Sequence, residues 1–176
     1  MELMLLRIFQ QQVLGQCKNL LLSANEVNQS LAKYDVQGVF YALQNLLNAG
    51  ANISKALWGQ GGKLADQRKP LRDSIGIDDT SPLREVTMRN NFEHFDERLD
   101  KWWKKSPRHI HIDNNVGPPN MVGVVADQID KFRHFDPQTT IITFWGQEFN
   151  LQKIVDEVQR ILPTLEAEAS KSHQET

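Results

Sequence analysis

The sequence predicts a mainly α protein: an antiparallel four-helix bundle with a small antiparallel β meander inserted between helices three and four. Two long segments, 6–31 and 36–58, repeat apolar residues at alternating steps of three and four, the period of a helix with one buried face. A third helical segment follows at about 80–105, whereas residues 108–149 change to the alternating, turn-rich pattern of short strands. Helices with one apolar face bury it against each other, so we expect a bundle.

The length and composition are those of an ordinary globular domain. The 176 residues suffice to bury a core, and we expect one domain over 1–169, with the β insertion at about 108–149 and a disordered tail at 170–176. The formal net charge is −2, so contact with a nucleic acid requires a local basic patch. The first residues lack the basic start and cleavage site of a leader, and no apolar run reaches the length of a membrane span, so we expect no membrane partner.

The first helix is predicted by one long apolar stripe. Its members are Leu6, Phe9, Val13, Cys17, Leu20, Ala24, Val27 and Leu31. Cys17 is the single cysteine and cannot form an internal disulfide, which is typical of a cytoplasmic protein. Its place on the stripe predicts a buried and unreactive thiol.

Turn and capping residues separate the first helices. A turn is expected at Asp35, whose carboxylate can cap the second helix at about 36–58. Gly59 is expected to end that helix. Residues 59–80 predict a loop with a short turn of helix near 63–68.

The third helix is predicted from a hydroxyl cap and a proline at its start. Thr80 and Ser81 precede Pro82, a residue favoured in the first helical turn. Pro107 is expected to end the helix at about Lys105. The predicted apolar seam consists of Met88, Phe92, Phe95, Leu99 and Trp102.

The remaining elements are shorter. Strands are expected at 109–113, 121–125, 132–135 and 139–145, joined by turns at 114–120 and 136–138. A last helix is predicted at about 151–167, with Asn150 as its cap. Pro163 lies inside its pattern, which predicts an early end or a kink.

One short run in the third helix carries residues suited to chemistry on a phosphodiester. It reads Arg-Asn-Asn-Phe-Glu-His at 89–94. A guanidinium holds a phosphate with two parallel hydrogen bonds, and an imidazole transfers protons near neutral pH. At about 100° per residue, Arg89 and His94 flank the face that points away from the core, with Asn90 between them. We therefore expect this run to face solvent or a second subunit.

This pattern, on a helix of a predicted four-helix bundle, resembles the Arg-x(4–6)-His motif of the HEPN superfamily (higher eukaryotes and prokaryotes nucleotide-binding domain). The resemblance implies a homodimer with two motifs facing one cleft, and metal-independent cleavage of RNA without a cofactor, as in toxin–antitoxin systems. It implies that Arg89 binds the scissile phosphate, that His94 is the acid and base, and that Asn90 positions them. Asp96 stands where toxin-like members often carry tyrosine.

The same helix face permits two simpler interpretations. It is a solvated surface, stabilised by pairs such as Glu97–Lys101, or the domain is a non-catalytic HEPN-like or other helical module that binds a protein partner. Glu93, Asp96 and Asp100 make the surroundings acidic, which repels RNA.

A basic and aromatic cluster follows at the end of the third helix. As a candidate RNA-binding surface it comprises Lys101, Trp103, Lys104, Lys105 and Arg108. The structural interpretation is that Trp102 belongs to the core, Trp103 packs beneath the β insertion, and the lysines favour a helix C-terminus.

His109, His111 and Asp113 are spaced by two residues, so on a strand they share one face. Two histidines and a carboxylate are a known metal-binding set, but an exposed polar strand has the same pattern. We expect no metal and no cofactor.

Overall fold

A computed structural model describes residues 1–119, 123 and 126–172. In this part the chain is mainly helical, with a four-stranded sheet toward its C-terminal end, which confirms the predicted class. The helices are α1 (Leu3–Ala32), α2 (Val36–Trp58), α3 (Lys63–Gln67), α4 (Lys69–Ser74), α5 (Thr87–Glu93), α6 (Phe95–Lys105) and α7 (Leu151–Ser170). The strands are β1 (Asn115–Val116), β2 (His134–Asp136), β3 (Ile141–Phe144) and β4 (Gln147–Asn150). None of the described helices is both long and apolar enough to cross a membrane.

The α1–α2 hairpin forms as predicted. Asp35 caps α2, because its Oδ1 accepts a hydrogen bond of 2.9 Å from the Gly38 backbone N–H. Gly59 ends α2 with a φ of +61°, in the left-handed region that favours glycine. Helix α1 packs against both α2 and α7, so the three long helices bury their apolar stripes together.

The core is one continuous cluster that joins the long helices to the sheet. Its fully buried members include Val13, Cys17, Leu20, Leu43, Ile53, Ile142, Val158 and Leu165. The buried guanidinium of Arg7 adds a polar tie, because its Nη1 donates to Gln10 on the same helix and to Glu168 on α7. The apolar contacts and this tie together fix α7 against α1.

The buried position of Cys17 predicts an inert thiol. Burial raises the pKa of this thiol to about 12, so almost no thiolate exists at pH 8. We expect Ellman's reagent to modify the native protein at least about 100-fold more slowly than the urea-unfolded protein. Rapid, stoichiometric modification of the native protein would contradict this placement.

The predicted single third helix is wrong, because the chain forms a 3₁₀ turn and two separate helices there. Ser81 does cap the start, but only for a turn at Pro82–Arg84. Glu85 then accepts a hydrogen bond of 2.6 Å from the Thr87 backbone N–H and begins α5. The predicted cap at Ser81 is therefore correct, whereas the helix predicted to follow it is interrupted.

A second interruption separates α5 from α6 at His94, whose φ of −95° and ψ of +42° are not helical. Phe95 was expected in the apolar seam but is 59% exposed, because the break rotates α6 relative to α5. Asp96 and Glu97 occupy the first turn of α6, where acidic side chains stabilise a new helix N-terminus. These two residues are the local signal for the break.

Residues 59–80 are more ordered than predicted. The expected short turn of helix is α3, but α4 follows it directly and was not predicted. The buried Arg72 holds this region, because its Nη1 donates hydrogen bonds of 2.7 Å to the carbonyl oxygens of Leu57 and Ala65. A loop prediction from composition alone could not include this long-range anchor.

The sheet has the strand order β1-β2-β3-β4. Strands β2, β3 and β4 form the predicted antiparallel meander, whereas β1 lies parallel to β2, and so the prediction of a wholly antiparallel sheet is wrong. Strand β1 occupies part of the turn predicted at 114–120. The strand predicted at 121–125 falls largely on residues outside the described ones.

The strand predicted at 109–113 is also wrong. Only Ile112 forms an isolated bridge, with Lys131, and His109 has a φ of +50°. The His109 backbone N–H donates to Ser106 Oγ at 2.9 Å, and its Nε2 donates to the Trp103 carbonyl oxygen at 2.9 Å. The segment therefore turns back onto the end of α6 instead of extending.

Strand β4 was not predicted, although the turn before it carries a signal. Trp145 and Gly146 have φ values of +52° and +76°, as a two-residue hairpin turn requires.

Asn150 caps α7 as predicted, because its Oδ1 accepts a hydrogen bond from the Lys153 backbone N–H. Pro163 does not end α7: the ring lies on the exposed face, where water can solvate the carbonyl group that loses its partner. The predicted tail is wrong at Ser170, which is helical, and 173–176 lie outside the described residues.

The buried carboxylate of Asp130 joins α6 to the chain that enters the sheet. Asp130 is 0% exposed and accepts hydrogen bonds from Trp102 Nε1 at 2.9 Å, from Ser106 Oγ and from the Asp127 backbone N–H. Burial raises the pKa of this carboxyl, but the bonds from Ser106 and Trp102 lower it more, and the pKa lies below its ordinary value. The group is therefore an ionised structural anchor.

Removing this anchor should destabilise the fold. We expect Asp130→Ala to lower the free energy of unfolding by about 2–4 kcal/mol, because Trp102 and Ser106 lose a buried acceptor. Asp130→Asn retains one acceptor and should lose about 1–2 kcal/mol. Urea denaturation measures both, and Asp100→Ala, a change at an exposed carboxylate of α6, should stay within about 0.5 kcal/mol. Equal losses of unfolding free energy in Asp130→Ala and Asp100→Ala would contradict the structural role of Asp130.

Candidate functional site

Arg89 lies on α5 with its guanidinium held by two neighbours. Its Nη1 donates to Asn90 Oδ1 at 3.2 Å, and its Nη2 donates to Glu93 Oε1 at 2.8 Å. The side chain is only 18% exposed and borders a small crevice with Gly50 and Phe149. The predicted placement of Arg89 beside the outward face is therefore only partly correct, because residues of α2 and β4 line the crevice next to it.

His94 lies at the junction between α5 and α6, not inside a continuous helix. Its side chain is 48% exposed, and its Nδ1 lies 3.9 Å from Glu97 Oε1. The outward placement predicted for this imidazole is confirmed. An imidazole at this position can exchange protons with solvent or with a bound molecule.

The three residues of the predicted catalytic set differ in their connections. Arg89 and Asn90 contact each other directly. Within the described part of the chain no side-chain hydrogen bond or ion pair joins either of them to His94, whose backbone N–H donates to the Asn90 carbonyl oxygen at 3.0 Å. Glu93 pairs with Arg89, and Glu97 lies beside His94. A phosphate bound here would have to replace Glu93 at Arg89, and Glu93 is 45% exposed and thus able to move aside.

Asn91 is a residue of this site that was not singled out from the sequence. It is buried, donates from Nδ2 to Gln147 Oε1 at 3.0 Å and accepts from Arg98 Nε at 3.0 Å. These bonds tie α5 to β4 and, across the break, to α6. Asn91 therefore fixes the shape of the junction at His94, and the doubled asparagine was its only sequence signal.

Phe95, which follows His94 in the chain, adds an exposed aromatic residue to the junction. The ring is 59% exposed, unlike Phe92 one turn earlier, which is buried. A large apolar side chain beside polar groups is a common feature of binding surfaces. The junction thus combines a half-exposed imidazole with an uncovered apolar contact.

The basic and aromatic cluster lies at the other end of α6. Trp103 is 64% exposed, and its ring centroid lies 4.1 Å from that of His109, so the prediction that it packs beneath the β insertion is wrong. Trp102 is buried, as predicted. Lys101 Nζ lies 5.3 Å from the ring centroid of Trp145, and Arg108 pairs with Asp127 at 3.7 Å.

Lys104 and Lys105 are exposed in the last turn of α6, where cations stabilise a helix C-terminus. Together with the exposed Trp103 ring they form a surface suited to stacking a base and contacting phosphates. Helix α6 has 11 residues, so about 16 Å separates this surface from the junction at His94.

His109, His111 and Asp113 do not form one face. Both carboxylate oxygens of Asp113 accept hydrogen bonds from the Arg133 guanidinium. Burial raises the pKa of this carboxyl, but the hydrogen bonds and charge of Arg133 lower it more, so the pKa lies below its ordinary value. The His111 ring packs 4.6 Å from Phe132, centroid to centroid. Within the described residues, no group of three potential metal ligands occurs.

Comparison of the chain with protein-family models, with curated proteins and with solved structures gave no match. The functional interpretation of the junction and the α6 cluster therefore depends on their own chemistry.

Proposed function

We propose that this chain is a HEPN-like helical domain that cleaves RNA without a metal or cofactor. In this proposal α1, α2, α7 and the α5–α6 pair are the four helical units of the bundle, and the protein acts in the cytoplasm. The observation that carries the proposal is the half-exposed imidazole of His94 at a helix junction, five residues after a preorganised arginine.

The reaction needs only a base, an acid and a cation. A neutral His94 imidazole takes the proton of the RNA 2′-hydroxyl while the 2′-oxygen attacks the adjacent phosphorus. The bond from phosphorus to the 5′-oxygen breaks, and that oxygen receives a proton from a protonated imidazole. The products are a 2′,3′-cyclic phosphate and a 5′-hydroxyl, and the Arg89 guanidinium stabilises the negative charge that develops on the phosphate.

Asn90 serves this reaction by positioning Arg89. Its Oδ1 accepts a hydrogen bond from Arg89 Nη1, which orients the guanidinium before RNA binds. Glu93 accepts a hydrogen bond from the other terminal nitrogen, Nη2. Binding of RNA then exchanges a carboxylate for a phosphate at an arginine whose orientation is already restricted.

A second copy of the chain would complete the site. Phe95 leaves a large apolar surface uncovered beside His94, and a twofold contact there would bring two imidazoles to one cleft. In such a dimer one His94 acts as base and the other as acid. The contact would also exclude water from the phosphate, which strengthens its attraction to Arg89.

RNA would extend from the junction along α6. The exposed ring of Trp103 can stack on a base, while Lys101, Lys104 and Lys105 contact the backbone. About 16 Å spans two to three nucleotides at roughly 6 Å each, so a short single-stranded segment reaches both ends of α6. Arg108 contributes once it exchanges Asp127 for a phosphate.

Cleavage of single-stranded RNA in EDTA tests this function. We expect His94→Ala and Arg89→Ala each to reduce the cleavage rate by at least about 100-fold, because they remove the proton carrier and the phosphate ligand. Arg84→Ala, an exposed arginine outside the junction, is the matched control and should keep the full rate. Circular dichroism verifies the fold of each variant.

A second experiment separates RNA binding from RNA cleavage. We expect Glu93→Gln to bind RNA more tightly, because it removes the carboxylate that competes with phosphate at Arg89. Cleavage that survives in His94→Ala would exclude His94 as the proton carrier, and unchanged binding in Glu93→Gln would exclude Arg89 as the phosphate ligand.

The proposed dimer has its own test. We expect wild-type protein to sediment as a dimer and Phe95→Glu to sediment as a monomer, because the charge cannot be buried in an apolar contact. Tyr41→Glu changes another exposed aromatic residue, on α2, and should leave the dimer intact. A dimer that persists in Phe95→Glu would show that the interface does not include the junction.

The second candidate function is a module that binds a protein partner without catalysis. The pairing of Arg89 with Glu93, together with Glu97 beside His94, favours it, because these carboxylates reduce the attraction of the surface for RNA. On this proposal no RNA is cleaved, and the α6 surface with its exposed Phe95 and Trp103 contacts the partner.

A further inference from the structure

A cleft between α1 and α7 lies outside the function proposed for the α5–α6 junction. Its volume is about 380 Å³, and its described lining residues come from α1, α2, β2, the turn before β3, and α7. Helices α5 and α6 contribute no lining residue in the described part of the chain. A molecule bound in this cleft would therefore not contact Arg89 or His94.

The floor of the cleft is formed by the apolar core. The most deeply buried lining residues are at most 5% exposed, and all of them are apolar: Val27, Leu43, Leu46, Phe135 and Leu151. Nearer the surface, Ala24 of α1 and Val155 of α7 are half-buried. Ala24 has no side-chain atom beyond Cβ, which leaves room between the two helices. A concave and mostly apolar surface of this kind is the usual site for the hydrocarbon part of a ligand.

The lining of the cleft is uncharged. Although 24% of the residues of the chain are charged, none of the 13 described residues that line the cleft is. A second cavity, which borders β2 and β3, differs because Lys131, Arg133, Asp136 and Glu148 line it. A charged ligand in the α1–α7 cleft would lose water without gaining an opposite charge, which costs free energy. The lining therefore selects an uncharged molecule.

Side-chain amides supply the polar groups of the cleft. Asn25 and Asn28 on α1 and Gln159 on α7 are exposed, and their side chains have no hydrogen-bond partner among the described residues. Gln152 donates from Nε2 to Asp156 Oδ1 at 2.7 Å, which leaves its Oε1 as an acceptor. Each amide offers donors beside an acceptor, so the best partner is a group with the same pair, another amide. Such a ligand displaces water without breaking an internal hydrogen bond of Asn25 or Gln159.

Asn25 and Gln159 face each other across the cleft. Lys18 Nζ on α1 lies 3.4 Å from Glu166 Oε1 on α7, and residues later in α1 share the cleft with residues earlier in α7, so the two helices run antiparallel. Seven residues make about two turns of a helix and return to the same face. Seven residues after Lys18 and seven before Glu166 therefore bring Asn25 opposite Gln159.

We propose that this cleft binds a small uncharged molecule that consists of an apolar ring and a carboxamide group. The ring lies on the apolar floor between Ala24 and Val155, and the carboxamide forms hydrogen bonds with the side-chain amides of Asn25 and Gln159. The two helices thus contact opposite sides of one polar group. This site is separate from the RNA chemistry proposed at Arg89 and His94.

Three probes of one shape test the proposal: benzamide, benzoate and benzamidine, which are neutral, anionic and cationic at neutral pH. The readout is the side-chain N–H signals of Asn25 in the ¹H–¹⁵N NMR spectrum of labelled protein. We expect benzamide to shift these signals with a dissociation constant below about 5 mM, as befits a ligand of one ring. Benzoate and benzamidine should bind at least about five-fold more weakly, because the lining supplies no opposite charge.

Gln159→Glu is the decisive variant, because it keeps the size of an exposed side chain while adding a charge. The new carboxylate lacks an N–H donor and attracts a cation. We expect benzamide to bind about three-fold more weakly and benzamidine at least about ten-fold more tightly than to wild type, so the order of these probes reverses. Gln44→Glu, at an exposed glutamine of α2 that does not line the cleft, should keep the wild-type order.

Ala24→Leu tests the position of the ring. The larger side chain fills the space between α1 and α7, so we expect it to abolish the benzamide-dependent shift of the Asn25 signals. If this variant fails to fold, Gln159→Glu still decides.

Three results would each overturn the proposal. One is an unchanged Asn25 signal at about 20 mM benzamide, roughly four times the expected dissociation constant. Another is equal affinity of wild type for the three probes, and the third is an unchanged order of the probes in Gln159→Glu. Since none of these measurements involves RNA, they are separate from the outcome of the cleavage experiment.

Discussion

The buried carboxylate of Asp130 is the constraint on which the rest of the structure depends. An ionised group without solvent is tolerated only when donors replace its water, and Trp102, Ser106 and the Asp127 backbone supply them. These donors come from the end of α6 and from the turn that precedes β2. Their convergence fixes the angle at which α6 meets the sheet, and the junction at His94 depends on that angle.

The break at His94 follows from fixing α6 in this way. Helix α5 must bury Met88 and Phe92 against α2 and β3, while α6 must deliver Trp102 to Asp130. One straight helix cannot satisfy both contacts, so the chain bends between them and Asn91 bridges the two parts. The bend leaves the imidazole and the neighbouring phenyl ring uncovered. The feature that resembles a catalytic motif is thus exposed by a packing requirement elsewhere.

The carboxylates around the junction limit its attraction for RNA. At the junction a phosphate must compete with Glu93 for Arg89, so acidic neighbours weaken binding. In a chain of net charge −2, short-range pairing and burial determine the field at this site more than the overall charge does.

The sequence by itself determined the long helices and the residues at which α2 and α7 begin. The apolar period of α1, α2 and α7 and the caps Asp35 and Asn150 are contiguous signals, and such signals act before any tertiary contact forms. Only the tertiary structure decided the break at His94, the partial burial of Arg89 and the loss of the strand expected at 109–113. It also decided the register of the four strands, because register depends on packing partners that are distant along the chain.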